Sequence, residues 1–192
     1  MTLVTIEGME KDMIILVLSG STRPQRKSIL VSQLITDEGQ KIDGIQTVLV
    51  DPIEFSFPGD GNDSEGKDPK YSQLTNDADA FFIVTPEYNH SFPGSLKRML
   101  DSELENYIHK PVAFAGVSSG HWGGVRAVES LVSTVREMGL VATFTDVYFP
   151  NVQDLFDVNG MLLQDNYRQS IRKVYDELIW MAVALKNARN NT

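Results

Sequence analysis

Short apolar runs alternate along this chain with stretches whose apolar residues recur every three or four positions. MIILVLSGS (13–21), AFFIVTPEY (80–88) and PVAFAGVSS (111–119) are almost uninterrupted apolar runs, as expected of strands buried on both faces. TVLVD (47–51), closed by Pro52, and ATFTDVYF (142–149), closed by Pro150, read as two further strands. Between them, Ser28 to about Ile42 carries Ile29, Leu30, Leu34 and Ile35 at helical spacing, and Gly94 to about Leu104 predicts a second helix. Gly124 to Met138 sets Val125, Val128, Leu131, Val132 and Val135 on one stripe, with Gly139 as its stop. The last helix, about 164–187, does the same with Ile171, Val174, Tyr175, Leu178, Ile179, Ala182 and Leu185. Strand and helix in alternation predict a three-layer α/β/α fold, doubly wound about a five-stranded parallel sheet in the order 2-1-3-4-5. The segment PGDGNDSEGKDPK (58–70) reads as an exposed loop, too central for a linker, so residues 1–192 are expected to form one domain.

Composition narrows the chemistry. There is no cysteine, which excludes disulfides, thiolate metal sites and a cysteine nucleophile. With 17 basic and 26 acidic residues the net charge is -9, which disfavours nucleic acid and anionic membranes as partners. The first apolar run, Met13 to Leu18, is short and follows Glu7, Glu10 and Asp12, unlike a secretory leader. The late run Leu178 to Leu185 is too short to span a bilayer. A cytoplasmic protein is the expectation. His90, His109 and His121 make no metal-ligand spacing, so no metal site is expected.

Ligands of such sheets bind beyond the carboxyl ends of the strands, where strand order reverses. Three segments lie there. GSTRPQRKS (20–28) joins hydroxyls of Ser21, Thr22 and Ser28 to the guanidinium groups of Arg23 and Arg26, just where a helix begins; free amides and positive dipole suit a phosphate. Arg23 is expected to face that phosphate and Arg26 the outer side of the loop. TPEYNHSFPGSLKRMLD (85–101) is stiffened by Pro86 and Pro93 and carries Glu87, Tyr88, Asn89 and His90 at a corner that suits the rim of a flat heterocycle. SSGHWGGVRA (118–127) offers glycines for close backbone approach, with His121 and Trp122 able to cap a ring.

Together these segments resemble the NADPH-dependent FMN reductase family, which includes quinone, azo-dye and chromate reductases, over roughly residues 13 to 140. The resemblance implies a flavodoxin-like fold, FMN as cofactor, NAD(P)H as co-substrate, and a homodimer or homotetramer. It implies that Ser21, Arg23 and Ser28 hold the phosphate. Pro86, Glu87, Tyr88 and Asn89 would run along the isoalloxazine, and Ser118 and Gly120 would lie near the ring and ribityl chain. Arg26 and His121 join these as candidate cofactor contacts. The flavin carries the redox chemistry, so no residue is expected to be catalytic in the strict sense. Hydride would pass by a ping-pong cycle to a small flavin, quinone or azo acceptor. The alternative is an electron carrier with a protein redox partner. Phe55 and Phe57 are expected to be exposed near the flavin, where a second subunit would cover them.

Overall fold

A computed structural model describes residues 13–191. Its sheet runs in the order β2-β1-β3-β4-β5, all parallel, from β1 (Met13–Ser19), β2 (Ile45–Val50), β3 (Ala80–Pro86), β4 (Pro111–Val117) and β5 (Val141–Ala142). This is the doubly wound, flavodoxin-like order expected from the alternation of patterns. Alternate residues of each central strand enter opposite cores. Ile15, Val17, Phe82, Val84, Ala113 and Ala115 pack beneath α1 (Ser28–Gly39) and α5 (Asn166–Asn190). Leu16, Leu18, Phe81, Ile83, Val112 and Phe114 pack against α2 (Pro69–Asp77), α3 (Gly94–Asp101) and α4 (Val125–Glu137). Both faces of these strands are therefore dry, which is why they read as continuous apolar runs.

The expected fifth strand is interrupted. β5 pairs with Pro111 and Val112 of β4, and a separate strand β6 (Val147–Phe149) pairs with Ala115 to Val117. From Val112↔Ala142 to Ala115↔Val147, three steps along β4 face five along the outer chain, so two extra residues bulge out. Glu177 of α5 holds that bulge: its Oε1 accepts the Phe144 amide at 2.6 Å and its Oε2 accepts the Thr145 hydroxyl. Phe144 itself stands 94% exposed. Beside it, burial pushes the Asp146 carboxyl up to about 6, with Glu129 and Glu177 adding and the Tyr148 hydroxyl opposing.

Three further expectations change. The loop 58–70 gives way at Pro69 to α2, a helix whose composition is mostly polar and which buries only Tyr71 and Thr75. Its start is built by Asp68, whose Oδ1 accepts the amides of Lys70 and Tyr71. The last helix is shifted to Asn166–Asn190. Phe55 and Phe57 are partly buried within their own chain, with Tyr71 ring centroids 5.8 and 5.3 Å away. Loop 57–66 is gathered by one side chain, Arg98 of α3, which donates to the carbonyls of Phe57, Pro58, Gly61 and Gly66. Among the described residues no helix is long and apolar enough to cross a membrane.

Candidate functional site

The carboxyl ends of β1, β3 and β4 open into one cleft of about 330 Å³. Its walls are Arg23 to Ser28 after β1, Pro86 to Tyr88 after β3, and Val117 to Ser119 after β4, joined by Val152 and Gln153. Those last two residues follow β6, and sequence reasoning missed them because the turn carries no motif. The cleft thus sits at the switch point of the sheet.

The loop after β1 is held from below. Gly20 donates its amide to the Val84 carbonyl at 2.8 Å, and Ser95 of α3 donates to the Gly20 carbonyl at 3.1 Å. Ser21 is buried; its hydroxyl accepts the Arg23 amide at 3.2 Å and shares a proton with the Tyr88 hydroxyl at 2.8 Å. It therefore ties the first loop to the second from behind the cleft wall. Ser28 is the first residue of α1, with Lys27 at the cap position, so the Ser28 side chain does not cap the helix. Its hydroxyl is buried and has no hydrogen-bond partner.

Both arginines line the cleft, and only the expected place of Arg26 changes. Arg23 is exposed along the cleft wall. Arg26, expected on the outer side, has a side chain only 12% exposed and forms an ion pair with Asp51 at the end of β2. A buried acid at the strand end draws the guanidinium inward. Asp51 and Arg26 lie 25 positions apart, and nothing in the sequence pairs them.

After β3, Glu87 donates its amide to the Val117 carbonyl at 3.0 Å, which locks the second and third loops together. The Glu87 side chain is 8% exposed; Oε1 is paired with Arg126 of α4 at 2.6 Å and Oε2 has no partner. Arg126 also donates to His90 Nε2 at 2.8 Å. Tyr88 and Ser91 exchange both backbone hydrogen bonds around Asn89 and His90, whose φ angles of 51° and 66° make a two-residue hairpin turn. Asn89 therefore sits at an exposed turn tip, outside the cleft lining.

After β4, Ser118 lines the cleft and donates its hydroxyl to the Gly120 carbonyl at 2.8 Å. Gly120 and His121 do not line it; His121 is exposed beside Asn151, and Trp122 is 70% exposed. The turn closes on Gly124, where φ is +87° and a Cβ would lie 2.5 Å from the Val117 nitrogen. Only glycine fits there. Among the described residues no group of three or more His, Cys, Asp or Glu side chains is placed to hold a metal.

Seven of the eleven candidate residues thus share the cleft: Arg23, Arg26, Ser28, Pro86, Glu87, Tyr88 and Ser118. The site offers hydroxyls, guanidinium groups and a helix N-terminus at one end, and a proline-stiffened rim with one buried carboxylate beside it. No nucleophile–base pair stands in it.

The profile of the NADPH-dependent FMN reductase family matches residues 13–154. The chain is 28% identical over 187 residues to an NAD(P)H-dependent FMN reductase of Pseudomonas aeruginosa, covering 90% of this chain and 97% of that one. It is 29% identical over 156 residues to an NADPH azoreductase of a Bacillus species, covering 79% of each. Among solved structures, FerB of Paracoccus denitrificans, a flavoenzyme NAD(P)H:(acceptor) oxidoreductase, shares the fold with a TM-score of 0.72. Its identity is 20%, covering 88% of this chain and 97% of FerB. The match to the family profile takes in all three loops of the cleft, and the chain belongs to the NADPH-dependent FMN reductase family.

Proposed function

We propose that this chain, as one domain, holds FMN in the cleft and works as an NAD(P)H-dependent reductase of small quinone, azo or flavin acceptors. The observation that carries the reading is the buried, unpartnered Ser28 hydroxyl at the N-terminus of α1, flanked by Arg23 and Arg26. A buried hydroxyl without a partner is costly. A phosphate beside it would accept that hydroxyl, the free helix amides and the guanidinium protons together, so the residues present fit the group.

When bound, the flavin supplies the hydride-accepting ring; the protein supplies binding and orientation. Ser28 and Arg23 grip the phosphate end. Pro86, Glu87 and Tyr88 support one edge of the ring, their backbone locked to β4 through the Glu87 amide. Ser118 would flank the opposite side, whereas Gly120, His121 and Asn89, outside the cleft lining, could meet the flavin only at its exposed margin. Trp122 is exposed on the third loop, where it would border the seat at which donor and acceptor dock. With one seat, the nicotinamide must leave before the acceptor enters, which is a ping-pong order. We further propose a cytoplasmic homodimer or homotetramer.

Purified protein is expected to be yellow and to release FMN, identified by mass, rather than FAD. Protein that is colourless and quenches no added FMN sinks the reading. Initial rates against NAD(P)H at several fixed acceptor concentrations should give parallel double-reciprocal lines, and Trp122→Ala should raise the acceptor KM more than it weakens FMN. Intersecting lines would replace the single seat with two.

A further inference from the structure

Arg26 and Asp51 differ from the rest of the cleft wall, because they join the loop after β1 to the end of β2 through one ion pair. The carboxylate is fixed first. Asp51 is buried, and its Oδ1 accepts the Ile53 amide at 3.3 Å in the 3-10 turn Pro52–Glu54. Its Oδ2 is left to hold Arg26 Nη2. The guanidinium is planar, so one anchored edge sets the direction of the other donors. Arg26 lines the cleft, yet its Nε is buried and has no hydrogen-bond partner. Two residues on, the Ser28 hydroxyl is in the same condition. Two unpartnered donors at one helix start, one of them clamped from behind, match an anion with several oxygens rather than a neutral hydroxyl.

We infer that Asp51 is a positioning residue, whose clamp on Arg26 makes the cleft select a flavin bearing a 5′-phosphate over the same flavin without one. This rests on the FMN reading above. Asp51 acts in two opposed ways: its charge repels a phosphate, and its clamp removes the rotamer freedom that Arg26 would otherwise lose on binding. The clamp wins because the Asp51 charge is already met by Arg26 itself, while an unclamped arginine has many orientations and few of them useful.

The test is a fluorescence-quenching titration of flavin-stripped full-length protein with FMN and, separately, with riboflavin. Wild type should prefer FMN. Asp51→Asn should cut that preference by roughly tenfold, the worth of one charge-assisted hydrogen bond, through weaker FMN binding with riboflavin binding unchanged. Arg26→Ala should do the same, and the double variant should lose no more than Arg26→Ala alone. A preference that is unchanged or sharpened overturns the inference, because Asp51 then acts as a charge only. Equal weakening of both flavins, or additive losses in the double variant, also overturns it, because the pair is then merely structural. Riboflavin binding reports whether each variant folds. Should Asp51→Asn not fold, Asp51→Glu keeps the charge while displacing the clamp, and the same loss is expected. Wild type that binds neither flavin sinks the FMN reading and this inference with it; wild type that prefers FMN beside an Asp51→Asn that still does sinks the inference alone.

Discussion

Ser28 separates binding from folding within one side chain. Its hydroxyl is buried and unpartnered, so in flavin-free protein it gives nothing back for its desolvation. Ser28→Ala should therefore leave the stripped protein as stable or more stable, while weakening FMN by about 1 kcal/mol. Chemical denaturation and FMN titration of the same samples check this, and a variant that loses stability and affinity together would give the hydroxyl a structural partner. Ser21 behaves oppositely, because its oxygen already serves the Arg23 amide and the Tyr88 hydroxyl. At this scale the sequence was legible as to residue type and less so as to direction. The run GSTRPQRKS announces an anion loop, but the inward turn of Arg26 depends on Asp51, a strand away. Likewise PEYN marks a ligand rim, but only folding brings Arg126 against Glu87.

Arg98 shows how much an element can depend on one side chain. Loop 57–66 has little regular structure, and four of its carbonyls converge on that guanidinium. Lysine cannot reproduce the planar fork. Arg98→Lys should cost about 2 kcal/mol of stability and expose 57–66 to limited proteolysis, read by the position of the first cut; an uncut loop would mean the aromatic contacts of Phe57 suffice. Elements were legible in proportion to the apolar surface they bury. The central strands and α4 and α5 are written in continuous runs or clear stripes. α2 is not, because PKYSQLTND buries only two of its side chains; the Asp68–Pro69 start was its one local signal. The break between β5 and β6 was hard to see because Thr143, Phe144 and Thr145 still alternate polar and apolar, and only Asp146 departs from the pattern. What interrupts them is Glu177, from a distant helix.

For the whole molecule, Asp146 couples that break to pH. Its carboxyl titrates near 6 in the folded chain, above the ordinary value of 3.8, because burial disfavours the charge. The folded state then binds more protons than the unfolded one between these values. Stability tied to the neutral carboxyl is full below about 4 and lost as pH rises through 6. Asp146→Asn should exceed wild type in denaturation midpoint at pH 7.5, by a margin that closes towards pH 4. A constant margin would assign the effect to packing. The oligomeric form belongs to this scale too, and light scattering that returns a mass near 21.4 kDa at micromolar concentration would remove the proposed dimer or tetramer. The broken outer strand has one more consequence. A sheet that ends in a long straight strand offers its open row of backbone groups as a template on which other chains can stack into fibrils. Here that row lasts two residues, then swells outward, with the Phe144 amide already taken by Glu177. Glu177→Ala should straighten and uncover the edge, and thioflavin binding on prolonged incubation should rise above wild type even under conditions where both proteins remain folded.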